Sequence, residues 1–153
     1  RQQSMTVAYR PQGIALQIAA VNIFTLSGGP ILIEGFFALA ENAIGAASTY
    51  QVTACGVVME NAAVACNLLV GEMALWPLTG VAGGDVIVPN IAAGPYPPLA
   101  SNLLGMQQLL LAPGSAGGDN FVLTVGAAIT PANTVVFYCL YRKMRPESLL
   151  TPV

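Results

Sequence analysis

The interval between Arg10 and Arg142 contains no lysine and no arginine. Its acidic residues are isolated from one another in the sequence: Glu34, Glu41, Glu60, Glu72, Asp85 and Asp119. A surface helix needs a charged or polar stripe opposite its apolar stripe, and no window here combines that stripe with helical spacing and caps. The interval therefore favours short strands over surface helices.

The scarcity of charge also limits what the surface can be. Charged residues make up 8% of the 153 residues, whereas a typical soluble domain contains about 25%. Apolar residues make up 55% of the chain. A single soluble molecule normally covers itself with Lys, Glu, Arg and Asp. We therefore expect a surface rich in uncharged polar residues, part of which is covered by other chains.

Clusters of Gly, Pro, Asn and Ser divide the chain into short segments rich in β-branched and aromatic residues. Gly35 inside one of these segments predicts a β-bulge. The pattern predicts an all-β fold, an antiparallel two-sheet sandwich that is jelly-roll-like, with an extended N-terminal arm. The predicted strands are 21–27, 31–40, 49–54, 72–78, 85–91, 106–112, 121–127 and 134–142, and the run 57–70 could be two further strands hinged at Glu60-Asn61.

The length of 153 residues corresponds to one domain. Residues 1–20 are polar at their start and interrupted by Pro11 and Gly13, so we predict that they form an N-terminal arm. Residues 21–142 then form the β-sandwich (jelly-roll-like) domain, and residues 143–153 form a C-terminal tail.

The last predicted strand, 134–142, is apolar on both sides. Alternation directs Val135, Phe137, Cys139 and Tyr141 to one face, and it directs Val136, Tyr138, Leu140 and Arg142 to the other. Loops of the same chain could cover the second face, or a neighbouring subunit could cover it, since Tyr and Arg are enriched at interfaces. The segment 31–40 leaves the same two alternatives open.

All five basic residues lie near the ends of the chain. This placement could arise by chance in a charge-poor chain, or one or both chain ends could contact an acidic neighbour. The basic run 142–145 is too short for a phosphate-binding stripe, so we expect no nucleic acid partner. The candidate protein-interface residues are Arg1, Arg10, Tyr138, Leu140, Arg142, Lys143 and Arg145.

The residues that usually carry chemistry are scarce. The chain has no histidine, which removes the commonest general base and metal ligand. Cys55, Cys66 and Cys139 lack the spacing of a zinc site or of a disulfide scaffold, and they suit buried thiols in a reducing compartment. Pro and Gly interrupt the charge-free runs, so we expect no membrane-spanning helix. We expect no enzymatic activity, no metal and no cofactor.

The segment VNIFTLSGGPILIEGFFALAENAIGAAST resembles the start of a group of small tailed-bacteriophage structural proteins, those of the capsid decoration (cement) type. In that group a strand ends in Phe-Thr, a Gly-Pro-Ile turn follows, and an Ile-Gly turn precedes the next strand. The end of the chain departs from the group, because a basic run replaces the usual Pro-Leu. The matching positions are Phe24, Thr25, Gly28, Gly29, Pro30, Ile31, Ile44 and Gly45.

The resemblance implies a virion protein assembled in the host cytoplasm. Proteins of this group are homotrimers that stand on the phage head at three-fold positions and bind the major capsid protein. Such a subunit stabilises the assembled shell by mass action. The alternative is a tail, fibre or adaptor protein of a phage, which contacts the host or binds carbohydrate through a jelly roll.

Overall fold

The computed structural model describes residues 5–9, 14–15, 20–42, 50–59, 70–71, 73–76, 109–114, 118–125 and 134–153. Within these ranges, the regular secondary structure consists of β-strands and includes no helix. The predicted strand 85–91 and most of the predicted strands within 57–70 lie outside the described residues. The strands are β1 (Thr6–Tyr9), β2 (Ile14–Ala15), β3 (Ala20–Ser27), β4 (Ile31–Ala40), β5 (Tyr50–Ala54), β6 (Val57–Val58), β7 (Met73–Trp76), β8 (Leu109–Leu111), β9 (Asn120–Val125), β10 (Thr134–Lys143) and β11 (Leu149–Pro152).

The strands form two antiparallel sheets. The six-stranded sheet, sheet A, has the order β1-β10-β4-β7, and β2 and β8 pair with β10 and β4 respectively. The five-stranded sheet, sheet B, has the order β11-β3-β9-β5-β6. The prediction of an all-β antiparallel two-sheet sandwich is therefore confirmed over the described residues.

Four phenylalanines form the centre of the core. Phe36 and Phe137 come from sheet A, and Phe24 and Phe121 come from sheet B. The Phe24 ring meets Phe36 across the sandwich with centroids 6.4 Å apart at 84°, and it meets Phe121 at 6.0 Å and 89°. All four are buried. Edge-to-face contacts of this kind add to the apolar burial that holds the two sheets together.

A β-bulge in β4 decides which side chains of this strand reach the core. Leu140 of β10 lies opposite Gly35, whereas Tyr141 lies opposite Ile33, so Glu34 is the extra residue. The bulge near Gly35 was predicted, but its effect on the alternation was not. Beyond the bulge, Phe36 joins Ile33 in the core, and Phe37 lies on the opposite side.

The N-terminal segment contributes to sheet A. Strand β1 pairs with β10, with Thr6 opposite Tyr141 and Tyr9 opposite Tyr138, and Ala8 is buried in the core. Strand β2 pairs with the start of β10. This differs from the predicted arm 1–20 over residues 6–9 and 14–15. The physical reason is that β10 has a second edge away from β4, and the backbone of β1 satisfies the hydrogen-bonding groups along it.

The C-terminal segment also differs from its prediction as a tail, because Lys143 ends β10 and β11 pairs with β3 of sheet B. The connection between β10 and β11 rests on the turn between β3 and β4. Ser148 is buried, and its hydroxyl donates to the Pro30 carbonyl at 2.8 Å. Gly28 has a φ of 78°, and a Cβ at this position would collide with the Glu147 carbonyl oxygen. The Gly-Gly-Pro turn therefore provides the space in which the chain crosses from one sheet to the other.

Candidate interaction surface

The strands of sheet A direct a second set of apolar side chains away from the core. Along β10 and β4, the outward pairs are Val136 with Leu39, and Tyr138 with Phe37. The rings of Phe37 and Tyr138 stack with centroids 4.9 Å apart and planes at 10°. We call this surface the outer face of sheet A; its apolar residues are Val7, Leu32, Phe37, Leu39, Met73, Leu110, Val136, Tyr138 and Leu140.

Exposure on this face is highest on the flanking strands. Val7 of β1, opposite Leu140, is 53% exposed, and Leu110 of β8, opposite Leu32, is 62% exposed. The central residues Phe37, Tyr138 and Leu140 are only half-buried. Val136 is buried within the single chain, at 8% exposure, so the face is covered there and partly open to solvent at its other large apolar side chains.

The outer face of sheet B has a different composition. Its outward positions alternate with the core residues of β3, β5, β9 and β11. Thr25 donates from its hydroxyl to Asn120 Oδ1 across neighbouring strands at 2.8 Å. Most of these residues are polar and uncharged, which is the surface type that the composition predicted. The polar ones are Asn22, Thr25, Ser27, Gln51, Thr53, Asn120, Thr124 and Thr151, and the apolar ones are Ala20, Val58, Val122 and Leu149.

One ion pair lies within the outer face of sheet A. Arg142 Nε lies 2.8 Å from Glu34 Oε1, and the two side chains are 31% and 13% exposed. The bulge directs both Glu34 and Gly35 to the outer side, so the carboxylate lies next to the position where Leu140 covers Gly35. Arg142 was predicted as an interface residue on the strength of its charge, and in the structure this charge is compensated within the chain.

The structure places the predicted interface residues in two locations. Tyr138, Leu140 and Arg142 lie together on the outer face of sheet A. Lys143 and Arg145 lie beyond it, where the Arg145 side chain approaches Gly29 of the Gly-Gly-Pro turn. Arg1 and Arg10 lie outside the described residues.

Sequence reasoning did not include Phe37, Leu39 or Glu34 among the candidates. The apolar character of both sides of segment 31–40 was the available signal, and it left the choice of the outward side open. Only the bulge assigns Phe37 and Leu39 to the same side as Tyr138. An isolated acid in a strand gave no indication that Glu34 meets Arg142, which lies far from it in the sequence.

The two described cysteines are not poised for chemistry. Burial raises the pKa of the Cys139 thiol well above its ordinary value. Burial, and secondarily the nearby Asp119 carboxylate, raises the pKa of Cys55 to about 11. Both thiols are therefore protonated at neutral pH, whereas nucleophilic and metal-binding cysteines are thiolates.

Two other kinds of functional feature are absent from the described ranges. No cluster of three or more Cys, Asp or Glu side chains in this part of the chain could hold a metal ion. None of the described segments forms a helix with the length and apolar character needed to span a membrane. The outer face of sheet A is thus the feature on which we base a functional argument.

Comparison of the chain with protein families, with curated proteins and with solved structures finds no match.

Proposed function

We propose that this chain is a structural protein of a bacteriophage particle, of the capsid decoration type. In this proposal it binds the assembled phage head as a homotrimer, its other partner is the major capsid protein, and it is localised to the virion. The observation that carries the proposal is the contrast between the polar outer face of sheet B and the apolar outer face of sheet A.

A sandwich with one apolar outer face gains free energy when another protein covers that face. Burial of apolar area is worth roughly 25 cal/mol per Å² before the costs of association are subtracted. Large contiguous apolar patches on a protein surface mark interaction sites. With charged residues at only 8% of the chain, few ionic groups remain to keep such a face solvated as a single molecule.

A shell-binding role suits this surface chemistry. A protein that binds only the assembled shell stabilises that state by mass action. A trimer that makes several weak contacts with the shell gains affinity through multivalency. The resemblance of residues 21–49 supports the assignment to a phage, and its Gly28-Gly29-Pro30 turn is the turn that supports the β10–β11 connection.

Electron microscopy of particles made without this chain tests the proposal. We expect heads that assemble but lack a protrusion at the three-fold positions and break more readily on heating or osmotic shock. Adding back the purified chain should restore the protrusions and the resistance to heat. Intact, heat-resistant heads on particles that fail to adsorb to the host would contradict it and favour the tail, fibre or adaptor role.

A further inference from the structure

We infer that the outer face of sheet A binds further copies of this same chain, with the faces meeting around a symmetry axis, and that the Glu34–Arg142 pair makes this contact electrically neutral. This inference deepens the proposed function and rests on it for the trimeric copy number. The surface, the partner and the role of the ion pair follow from the contacts described above.

Symmetry determines what kind of surface can meet its own copy. When identical faces surround a rotation axis, the residues nearest the axis come close to their own equivalents in the other subunits. A net charge on the face would then repel itself, whereas a partner of another kind selected by charge would require a face with a net charge. The outer face of sheet A carries large apolar residues and one compensated ion pair, so it suits its own copy.

The charges near this face are arranged accordingly. Arg142 and Glu34 are the charged residues that the described strands place among its apolar residues, and they contact each other at 2.8 Å. Glu41 lies just past the end of β4, where it accepts a hydrogen bond from the Thr134 hydroxyl at 2.9 Å. It is exposed and therefore lies at the rim, where charge remains solvated.

The bulge adds shape to this charge arrangement. Gly35 has no side chain, and a Cβ at its position would lie 3.2 Å from Leu140 Cδ1. Leu140 can therefore lie flat over the strand beside the Glu34 carboxylate. The stacked Phe37 and Tyr138 rings and the leucines beside them offer apolar side chains that can interdigitate with those of another subunit.

Closing the contact would remove the remaining solvent from the ion pair. Glu34 is already 13% exposed and Arg142 is 31% exposed. Removing one partner of a buried charge pair weakens the compensation of the other charge, and at interfaces this costs about 30-fold or more in affinity, at roughly 1.4 kcal/mol for each factor of ten. Replacing both charges by neutral groups removes that cost.

Sedimentation velocity of the full chain over a concentration series tests the inference. The wild-type chain should form a concentration-dependent oligomer. Glu34→Gln and Arg142→Gln should each raise the dissociation constant by at least about 30-fold. The double variant, which again carries no net charge on the face, should associate more tightly than either single variant.

Two matched substitutions show which face is used. Leu140→Asp places a charge on the outer face of sheet A and should yield monomers. Val122→Asp places the same charge at a half-buried apolar position on the outer face of sheet B and should leave the oligomer unchanged. Thermal unfolding followed by circular dichroism confirms that each variant is folded, and the comparison uses the variants that are.

Several results would overturn the inference: a wild-type chain that is monomeric at every concentration, a folded Leu140→Asp variant with unchanged assembly, or single charge variants that associate as tightly as the wild type. A monomer that still decorates shells would overturn this inference and the homotrimer of the proposed function, but it would leave the capsid-decoration role standing. An oligomer that behaves as described but never binds shells would leave this inference standing and overturn the proposed function.

Discussion

The outer faces of the two sheets differ, although both sheets supply apolar residues to one shared core. On sheet B, the core residues Phe121 and Leu123 alternate with outward residues that are mostly polar, Asn120, Val122 and Thr124. This is the pattern of an antiparallel sheet with one face in water. On sheet A, the core residue Phe137 alternates with Val136 and Tyr138, and the outer face is apolar as well.

The comparison separates what folding requires from what it does not. Sheet B shows that a sheet of this sandwich can have mostly polar residues on its outer side. The apolar outer face of sheet A therefore has a reason other than the core between the sheets. Contact with further protein is the reason that we propose. Of the four experiments below, one compares the two outer faces directly, and the other three test the crossing and the core that the two sheets share.

The largest expected effect concerns the crossing that joins the two sheets. Gly28→Ala places a Cβ against the Glu147 carbonyl oxygen and strains a residue with a φ of 78°. We expect the free energy of unfolding to fall by about 3 kcal/mol or more. Urea denaturation measures this loss, and the two sheets should unfold together in one transition.

Gly114→Ala is the matched control for that experiment. Gly114 has a φ of 73°, and its Cβ would meet nothing within 4 Å. It should therefore lose only about 1 kcal/mol from backbone strain. Equal losses for the two variants would show that the contact between the turn and the C-terminal connection contributes little.

The second effect concerns association. Tyr138→Asp removes the ring that stacks on Phe37 and adds a charge to the outer face of sheet A. We expect the affinity between copies to fall by about 100-fold or more, which corresponds to about 2.7 kcal/mol. Sedimentation equilibrium measures this change. Thr124→Asp on the exposed outer face of sheet B is the control, and a similar loss there would remove the distinction between the faces.

The third effect tests the support of the strand β11. Ser148→Ala removes the hydroxyl that donates to the Pro30 carbonyl within a buried site. The expected loss in the free energy of unfolding is about 1–2 kcal/mol. Ser27→Ala, at an exposed position of β3, should change it by less than about 0.5 kcal/mol. If the two variants unfold at the same urea concentration, the hydrogen bond contributes little to the crossing.

The smallest effect on the free energy of unfolding at neutral pH concerns the two buried thiols. Cys55 has a pKa raised from 9.0 to about 11 in the fold, and burial raises that of Cys139 as well. Below pH 9 both folded and unfolded chains keep these protons, so stability does not change. As the pH rises from 9 to 11, the unfolded chain loses protons that the fold retains, and the free energy of unfolding falls.

Chemical denaturation between pH 7 and pH 11 measures this dependence. The variants Cys55→Ala and Cys139→Ala should each flatten the decline above pH 9, because each removes one retained proton. Association through the outer face of sheet A should not follow the thiols, since Cys139 lies on the inner side of β10. If the free energy of unfolding declines above pH 9 to the same extent in both variants as in the wild type, other titrating groups cause the pH dependence.

Local patterns predicted several strands closely. The predicted segments 31–40 and 134–142 correspond to Ile31–Ala40 and Thr134–Lys143. For β10, the alternation also placed Phe137 and Cys139 on the opposite side from Tyr138 and Leu140, as observed. These predictions succeeded because strand formation and side-chain alternation depend on neighbouring residues.

Strand β4 shows where local patterns were insufficient. Strict alternation grouped Phe37 with Ile31 and Ile33, but the extra residue at Glu34 reverses the sides, so Phe36 enters the core instead. Both phases of this strand are apolar, and the sequence offers no local preference between them. Contacts with the facing sheet, such as that of Phe36 with Phe24, decide the phase.

The amino-acid sequence by itself determined a strand-rich chain with few charges and an uncharged polar surface, because composition and alternation are properties of short segments. The tertiary structure decided that residues near both chain ends join the sheets, that Glu34 meets Arg142, and that the apolar outer face belongs to sheet A. These features depend on pairing between residues distant in the sequence. Only the packing of the two sheets around their common core selects that pairing.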